Sequence, residues 1–393
     1  MTATQPAPTV LPGVRVVEIA AGIAVAYATQ LLGQLGAEVI RIEPPEGDAV
    51  RLAGPFPEGQ PDGAPDLDSG GLHRYLNGGK RSVVLDLDAE DGAALASELI
   101  AGSELLVGDW REGGLLPFDD QDAMRERFPE TTCVSISDFG MTGPRAGWRA
   151  DSMIHEALSG ITYVSGAPDR EPIALGAEVA DHFAGLMGWI ASLLALAQAS
   201  VGERPGFIDV SAHEVIGSSD DHSLSLYVGT GALRRRFYSR VLGGYPSDIM
   251  PCKDGHFSFV TPQSAFPGAV AELIGRPDLV NDPLLNDRRE RAVRWREFDA
   301  LLRPYLQAHT PAELLRRSDE LHLAFAMVPS VADLLADRHL RERGYWLEGP
   351  EGEDVIGPPL QLPAAPLRAG RPAPALGSSS ASELGAGAPE REG

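Results

Sequence analysis

The segment from Gly13 to Ile42 constrains the fold more than any other stretch of the chain. Gly13-Val-Arg-Val-Val-Glu-Ile19 has the nearly continuous apolar character of a strand covered on both faces. Ala24 to Leu35 is rich in Ala and Leu and reads as a helix. Gly36 closes it, because glycine takes the left-handed conformation of a helix stop without steric cost. Ala37-Glu-Val-Ile-Arg-Ile42 is a second strand. Strands joined through a helix run parallel, since the crossover returns the chain to the same end of the sheet. Ser82–Leu87, Glu104–Val107, Thr132–Ile136 and Arg204–Val210 read as further strands, with a helix from Ala89 to Ala101. The alternation predicts an α/β fold with a Rossmann-like parallel sheet covered by helices on both faces.

A chain of 393 residues is long for one domain. We expect a large domain over 1–215. Around Gly229 to Ser247 the composition shifts to Arg, Gly and Tyr, and a linker is placed over 216–245. A smaller α+β domain is expected over 246–330. It would hold a strand at His256–Val260 and amphipathic helices at Ala265–Ile274 and Val293–Ala308. The end of the chain is rich in Pro, Ala, Gly and Ser, and 376–393 reads as a disordered tail.

Charge and composition exclude several function classes. The net charge of −23 opposes non-specific binding to nucleic acid or to an anionic membrane. The two cysteines, Cys133 and Cys252, form neither a metal-ligand spacing nor a disulfide framework. Met1 to Pro12 has no basic start and no apolar signal core, so a cytoplasmic location is expected. Ala184 to Ala199 is the most apolar stretch, but it carries Gln198 and lacks basic flanks, which fits a buried core helix. Asp220-Asp221-His222 looks like a fragment of a metal site, but no second ligand cluster accompanies it, so no metal is expected. Ala20-Ala-Gly22-Ile23 does not match the dinucleotide fingerprint Gly-x-Gly-x-x-Gly. Neither a Walker A sequence nor a Gly-x-Ser-x-Gly elbow is found. Arg234-Arg235-Arg236 is the one dense basic run, read either as a solvated face or as a contact for an acidic substrate or partner.

Short motifs spread in order through the chain resemble the class III CoA-transferases, the CaiB/BaiF family. They are Leu11-Pro-Gly-Val-Arg-Val-Val-Glu, Leu35-Gly-Ala-Glu-Val-Ile-Arg-Ile-Glu-Pro44 with Gly47-Asp48 and Arg51, and Leu76-Asn-Gly-Gly-Lys-Arg-Ser-Val83. Ser135-Ile-Ser-Asp-Phe-Gly-Met-Thr-Gly-Pro144, Val179-Ala-Asp181, Asp209-Val-Ser and Pro251-Cys-Lys-Asp-Gly255 follow. The resemblance implies an interlocked homodimer, or a heteromer with a related chain, in which 331–375 returns to the large domain. It also implies that CoA, as acyl-CoA, and a small carboxylic acid are the substrates. The family's nucleophilic Asp maps onto Asp181, whose carboxylate would attack the thioester and carry CoA through covalent intermediates.

The CoA contacts implied are Gly22, Ile23, Arg41, Lys80, Arg81, Asp109, Trp110, Arg111, Gly140 and Gly143, with Arg51 and Arg145 as further cations. Trp110 reads equally as an adenine platform or a core residue. Gly243, Gly244 and Tyr245 stand where the family has its substrate loop. Pro44 and Asp88 occupy positions where some transferases carry Arg and Lys. Ala150 occupies the position of the racemases' His, so two-base racemisation is not expected. His155 and His182 read as packing residues. The alternatives are a non-catalytic partner subunit and another acyl-transfer enzyme or isomerase on the same scaffold.

Overall fold

A computed structural model describes residues 9–57, 66–109, 121–203, 206–237, 245, 247–260, 266–349, 352–357, 359–365, 367 and 371–385. The chain divides into two compact units. The first gathers Met1–Ser159, Leu175–Asp221 and Arg338–Gly393; the second gathers Gly160–Ala174 and His222–Asp337.

In the first unit the elements run β1 (Arg15–Ile19), α1 (Ile23–Gln34), β2 (Glu38–Glu43), α2 (Gly71–Leu76), β3 (Arg81–Val84), α3 (Glu90–Ala101), β4 (Leu105–Gly108) and α4 (Gln121–Arg127). They continue β5 (Thr132–Ser137), α5 (Ser152–Ser159), α6 (Val179–Ser200), β6 (Phe207–Ser211) and α7 (Ala212–Ser218). The six strands form one parallel sheet in the order β3-β2-β1-β4-β5-β6. Two apolar layers cover it. Val17, Ile40, Leu106 and Cys133 face α3 and α4, while Val16, Val39, Leu105 and Val134 face α1 and α6.

Helix α6 is long and apolar enough to cross a membrane by length and composition alone. Its small residues Ala180, Ala184, Gly188, Ala191 and Ala195 are buried instead in the core. A Cβ on Gly185 would lie 2.7 Å from the carbonyl oxygen of Ala24, so the glycine lets α6 approach the start of α1.

The region expected to be a linker is helical over much of its length. It contains the end of α7 and α8 (Asp221–Thr230). In the second unit, β7 (Ser247–Pro251), β8 (His256–Val260) and, later, β9 (Phe325–Met327) form an antiparallel sheet. Between β8 and β9 come α9 (Phe266–Leu273), α10 (Pro283–Asn286), α11 (Arg288–Val293), α12 (Trp295–Ala308) and α13 (Pro311–Glu320). Phe257, Phe259, Phe298 and Leu302 centre their own core. The short pieces α14 (Val331–Ala336) and α15 (Arg338–Glu342) lead to the hairpin of β10 (Trp346–Glu348) and β11 (Asp354–Ile356).

The expected disordered tail is ordered through Gly385; 386–393 lie outside the described residues. Polar composition hid two apolar anchors, Ala381 and Leu384, which join the core below the sheet. The same segment covers the edge strand β3. Gly377 N donates to Ser82 Oγ (3.0 Å) and Ser379 N to Ser82 O (2.9 Å). An open sheet edge presents unpaired backbone groups, and this segment satisfies part of that need. Leu384 is 2% exposed. Leu384→Ala should therefore cost about 2–5 kcal/mol, the range for a buried leucine. Urea denaturation measures it, and a change below about 0.5 kcal/mol, the surface-site value, would mean the tail does not pack in solution.

Candidate active site

A parallel sheet of order 3-2-1-4-5-6 opens a crevice beyond the carboxyl ends of its strands where the winding direction reverses, here between β1 and β4. A cavity of about 590 Å³ lies there. Gly22 to Ala24 follow β1, Asp109 follows β4, Ser137 ends β5 and Asp138 follows it. Arg149 to Asp151 lead into α5, Glu178 and Asp181 begin α6, and Asp48 comes from the loop after β2.

Asp181 lies in the first turn of its helix, which begins before the apolar stretch read from Ala184. It is the third residue of α6, which starts at Val179. Glu178 precedes the helix in a left-handed conformation (φ 53°, ψ 40°) without a capping side chain. The Ala180 amide is satisfied instead by Ser152 Oγ (2.9 Å). Burial pushes the Asp181 carboxyl up to about 6 from an ordinary 3.8. Glu178, Asp138 and Asp151 add to the rise, while His155 opposes it. His155 is fully buried, with Nε2 3.3 Å from Asp138 Oδ1, and it packs tilted against Phe139. Asp138 also accepts from Ala150 N (3.0 Å), which pins the chain at 149–150 to the end of β5.

Across the cavity, Gly22 begins α1 with φ +86°. The first helical bond runs from Ala26 N to Gly22 O (3.2 Å). The amides of Ile23, Ala24 and Val25 therefore lie ahead of the helical ladder. Such amides, with the positive end of the helix dipole, stabilise negative charge that develops beside them.

The structure brings Asp181, Gly22, Ile23 and Asp109 to one cavity. Other expected cofactor residues are elsewhere. Arg41 is fully buried and ion-pairs with Glu18, with Glu43 (3.2 Å) and with Asp48 (2.5 Å). Lys80 Nζ lies within hydrogen-bond distance of four oxygens, Glu18 Oε2 (2.8 Å), Ala26 O (2.8 Å), Thr29 Oγ1 (2.9 Å) and Asn77 Oδ1 (2.9 Å), which share its three protons. Arg51 chelates Glu43 with Nε at 2.7 Å and Nη2 at 2.8 Å. These cations neutralise internal carboxylates, and none of the three is among the residues lining the cavity.

Arg81 is the first residue of β3, at the end of the strand away from the cavity, and pairs with exposed Glu38 (3.4 Å). Gly140 and Gly143 take positive φ in the turn after β5, with Gly140 against Asp209 Oδ2, and neither lines the cavity. Tyr245 is a core residue of the second unit, and its hydroxyl donates to Asp299. Trp110, Arg111, Gly243 and Gly244 lie outside the described residues. Sequence reasoning missed Arg149, Ser137, Asp138 and Glu178 as lining residues.

A smaller cavity of about 240 Å³ lies beyond β2 and β3, between Glu43–Glu46 and Leu85–Asp88. Among its described lining residues are four carboxylates and no cation. No cluster of three His, Cys, Asp or Glu side chains suited to a metal occurs among the described residues.

Removing one member of a buried ion pair leaves the other uncompensated, so Lys80→Ala should destabilise the fold by about 3–5 kcal/mol in urea. A phosphate-binding role for Lys80 would instead leave stability unchanged. Asp181 carries the opposite sign. Its folded-state proton affinity exceeds that of the unfolded chain, so the cost of keeping it ionised grows as pH rises from about 4 to about 6 and is complete above. Asp181→Asn should stabilise the protein by roughly 1–3 kcal/mol at pH 7.5 and by less at pH 5, as read by parallel denaturation curves.

The family described as CoA-transferase family III matches residues 11–380. The chain is 27% identical over 380 residues to a succinate–glutarate CoA-transferase of Agrobacterium fabrum, covering 95% of this chain and 94% of that protein. It is 30% identical over 344 residues to the succinyl-CoA–L-malate CoA-transferase beta subunit of Chloroflexus aurantiacus, covering 85% and 82%. A crystal structure of a CaiB/BaiF family protein from Brucella suis superposes with a TM-score of 0.84 at 28% identity, covering 96% of this chain and 99% of that one.

Proposed function

The chain belongs to CoA-transferase family III, and from that premise we propose that it passes CoA from an acyl-CoA to a carboxylic acid through covalent intermediates on Asp181. The observation that carries this reading is the position of Asp181. It lines the cavity at the sheet's switch point, as does the amide-rich start of α1, and its proton affinity is raised by burial. A more basic carboxylate is a better nucleophile, and a value near 6 still leaves it mostly ionised at neutral pH.

In the proposed sequence an Asp181 oxygen attacks the thioester carbonyl, the C–S bond breaks, and a mixed anhydride and CoA thiolate form. The thiolate attacks the aspartyl carbonyl, releases the first acid as its carboxylate and leaves an aspartyl-CoA thioester. The acceptor carboxylate attacks that thioester and frees the thiolate again. The thiolate then takes the acceptor's acyl carbon, which restores Asp181. No net proton transfer is required. The amides of Ile23 and Ala24, which line the same cavity, would stabilise each tetrahedral oxyanion, and donors of this kind are commonly the largest catalytic term.

The acids are proposed to be small dicarboxylates, the class named for the relatives. Assembly is proposed as an interlocked dimer. On α6 the side chains of Phe183, Met187, Ile190 and Leu194 form an apolar stripe at helical spacing, each at least 40% exposed in the single chain. A second reading, a dimer with a related but different chain, is favoured by one observation: the malate relative is named as a beta subunit. Purification of the chain alone as an active dimer decides against it.

The test is CoA exchange between succinyl-CoA and a panel of acids, followed by mass spectrometry of the enzyme. Wild type should transfer CoA and carry a CoA adduct on Asp181. Asp181→Ala should lose about 10³-fold or more in kcat while staying folded. With wild type, kcat/KM should fall as pH drops through about 6, as the nucleophile is protonated. Full activity of Asp181→Ala would overturn the covalent mechanism.

A further inference from the structure

We propose that Arg149, with Ser137 in the wall of the same cavity, binds the distal carboxylate of a dicarboxylic acyl group and so determines which acids the enzyme accepts. This rests on the transferase reading and adds the residue that selects the substrate.

The cavity wall is strongly anionic. Its described lining includes Asp48, Asp109, Asp138, Asp151, Glu178 and Asp181, and Arg149 is the only cationic side chain among them. Some of that negative charge is neutralised from behind, since Asp48 pairs with Arg41. The rest would repel a second carboxylate on the substrate by several kT unless a cation met it. A monocarboxylic acyl chain brings no such charge and does not need Arg149. A dicarboxylic one does.

Arg149 is placed for that task. Its backbone is held at the end of β5 by the bond from Ala150 N to Asp138 Oδ2 (3.0 Å). Its side chain is 62% exposed, so it can turn toward a ligand without unmaking the core. The described contact from Arg149 Nη1 to Asp109 Oδ2 is long, at 3.9 Å, and a substrate carboxylate that accepts two parallel N–H bonds would be a stronger partner than that contact. Ser137 provides the second, independent observation. It is 3% exposed, it lines the same cavity, and its buried hydroxyl has no hydrogen-bond partner among the described residues. A buried hydroxyl left without a partner is costly, so this one is suited to donate to an oxygen of the bound acyl group. Arg149 and Ser137 thus supply a charge-assisted fork and a neutral donor on the β5 side of the cavity.

The experiment compares succinyl-CoA with butyryl-CoA as donors to a fixed acceptor, for wild type, Arg149→Met, Arg149→Lys and Ser137→Ala. These thioesters share the CoA portion and the chain length and differ in the terminal carboxylate. The readout is the ratio of kcat/KM for succinyl-CoA to that for butyryl-CoA. Wild type should favour succinyl-CoA. Arg149→Met should lower the ratio by about 30-fold or more, the worth of hydrogen bonds to a charged group. Arg149→Lys should lower it less, because the charge remains and the fork is lost. Ser137→Ala should lower it by a smaller factor, about 3- to 10-fold.

An unchanged ratio in Arg149→Met, whether both rates hold or both fall together, overturns the proposal. Equal falls would assign Arg149 to the shared CoA portion and leave the transferase reading intact. Absence of CoA transfer by wild type from either thioester to any acid in the panel removes the transferase reading itself, and this proposal with it.

Discussion

The buried ion cluster around Glu18 and Arg41 is the interaction on which the rest of the first unit depends. Glu18 lies on β1 and Arg41 on β2, and both are fully buried. Burial alone would raise the Glu18 carboxyl, but Arg41 and Lys80 hold it below its ordinary value. Burial draws Lys80 down to about 8, against the pull of Glu18 in the other direction. Arg41 then reaches Asp48, which lines the cavity, while Lys80 donates to Thr29 and to the Ala26 carbonyl on α1. Through Arg51, the next link, the cluster reaches the carbonyl of Pro374 in the C-terminal segment (3.2 Å). One set of charges therefore fixes β1, β2, α1, the loop before β3 and the tail together. A buried pair of this kind adds little net stability over an apolar core, but it imposes a single arrangement, because any other leaves a charge bare.

This cluster also explains which part of the site was legible in the sequence. Periodic apolar strands and a glycine-stopped helix announce the parallel sheet, since the features that signal them are local. Asp181, Gly22, Ile23 and Asp109 were legible through the order of short motifs, and Arg149, Ser137, Asp138 and Glu178 beside them in the cavity lining were not. Arg41 and Lys80 look the same in sequence whether they face a phosphate or a core carboxylate. The deciding partner, Glu18, stands 23 and 62 residues away. Arg149 carries no motif at all, and only the return of the loop after β5 brings it beside Asp109. The C-terminal segment was misread for a related reason. Its composition is that of a disordered chain, yet an exposed strand edge and two apolar anchors suffice to order it.

The placement of Asp181 depends on small residues more than on charged ones. Helix α6 comes close to the start of α1 because Gly185 carries no side chain where the Ala24 carbonyl passes. The same approach brings Asp181 to the cavity that the first amides of α1 border. A bulkier residue at 185 would separate the carboxylate from those amides by a fraction of an ångström to an ångström, and displacements of that size at a reacting centre cost orders of magnitude in rate.

The anionic wall then acquires a role beyond selection. A carboxylate surrounded by other carboxylates and partly withdrawn from water is destabilised as an anion, by roughly 1.4 kcal/mol for each unit that its proton affinity is raised. In the proposed mechanism acylation would turn Asp181 into a neutral anhydride or thioester and relieve that cost. The surroundings that raise the proton affinity of Asp181 would thus favour each covalent state over the free carboxylate. The same repulsion acts on any anionic substrate that lacks a counter-charge, so nucleophile strength and tolerance of acidic substrates are opposed within one cavity. Arg149 lies on the cavity wall where the two demands can be reconciled, since it can neutralise the far end of a substrate without pairing directly with Asp181.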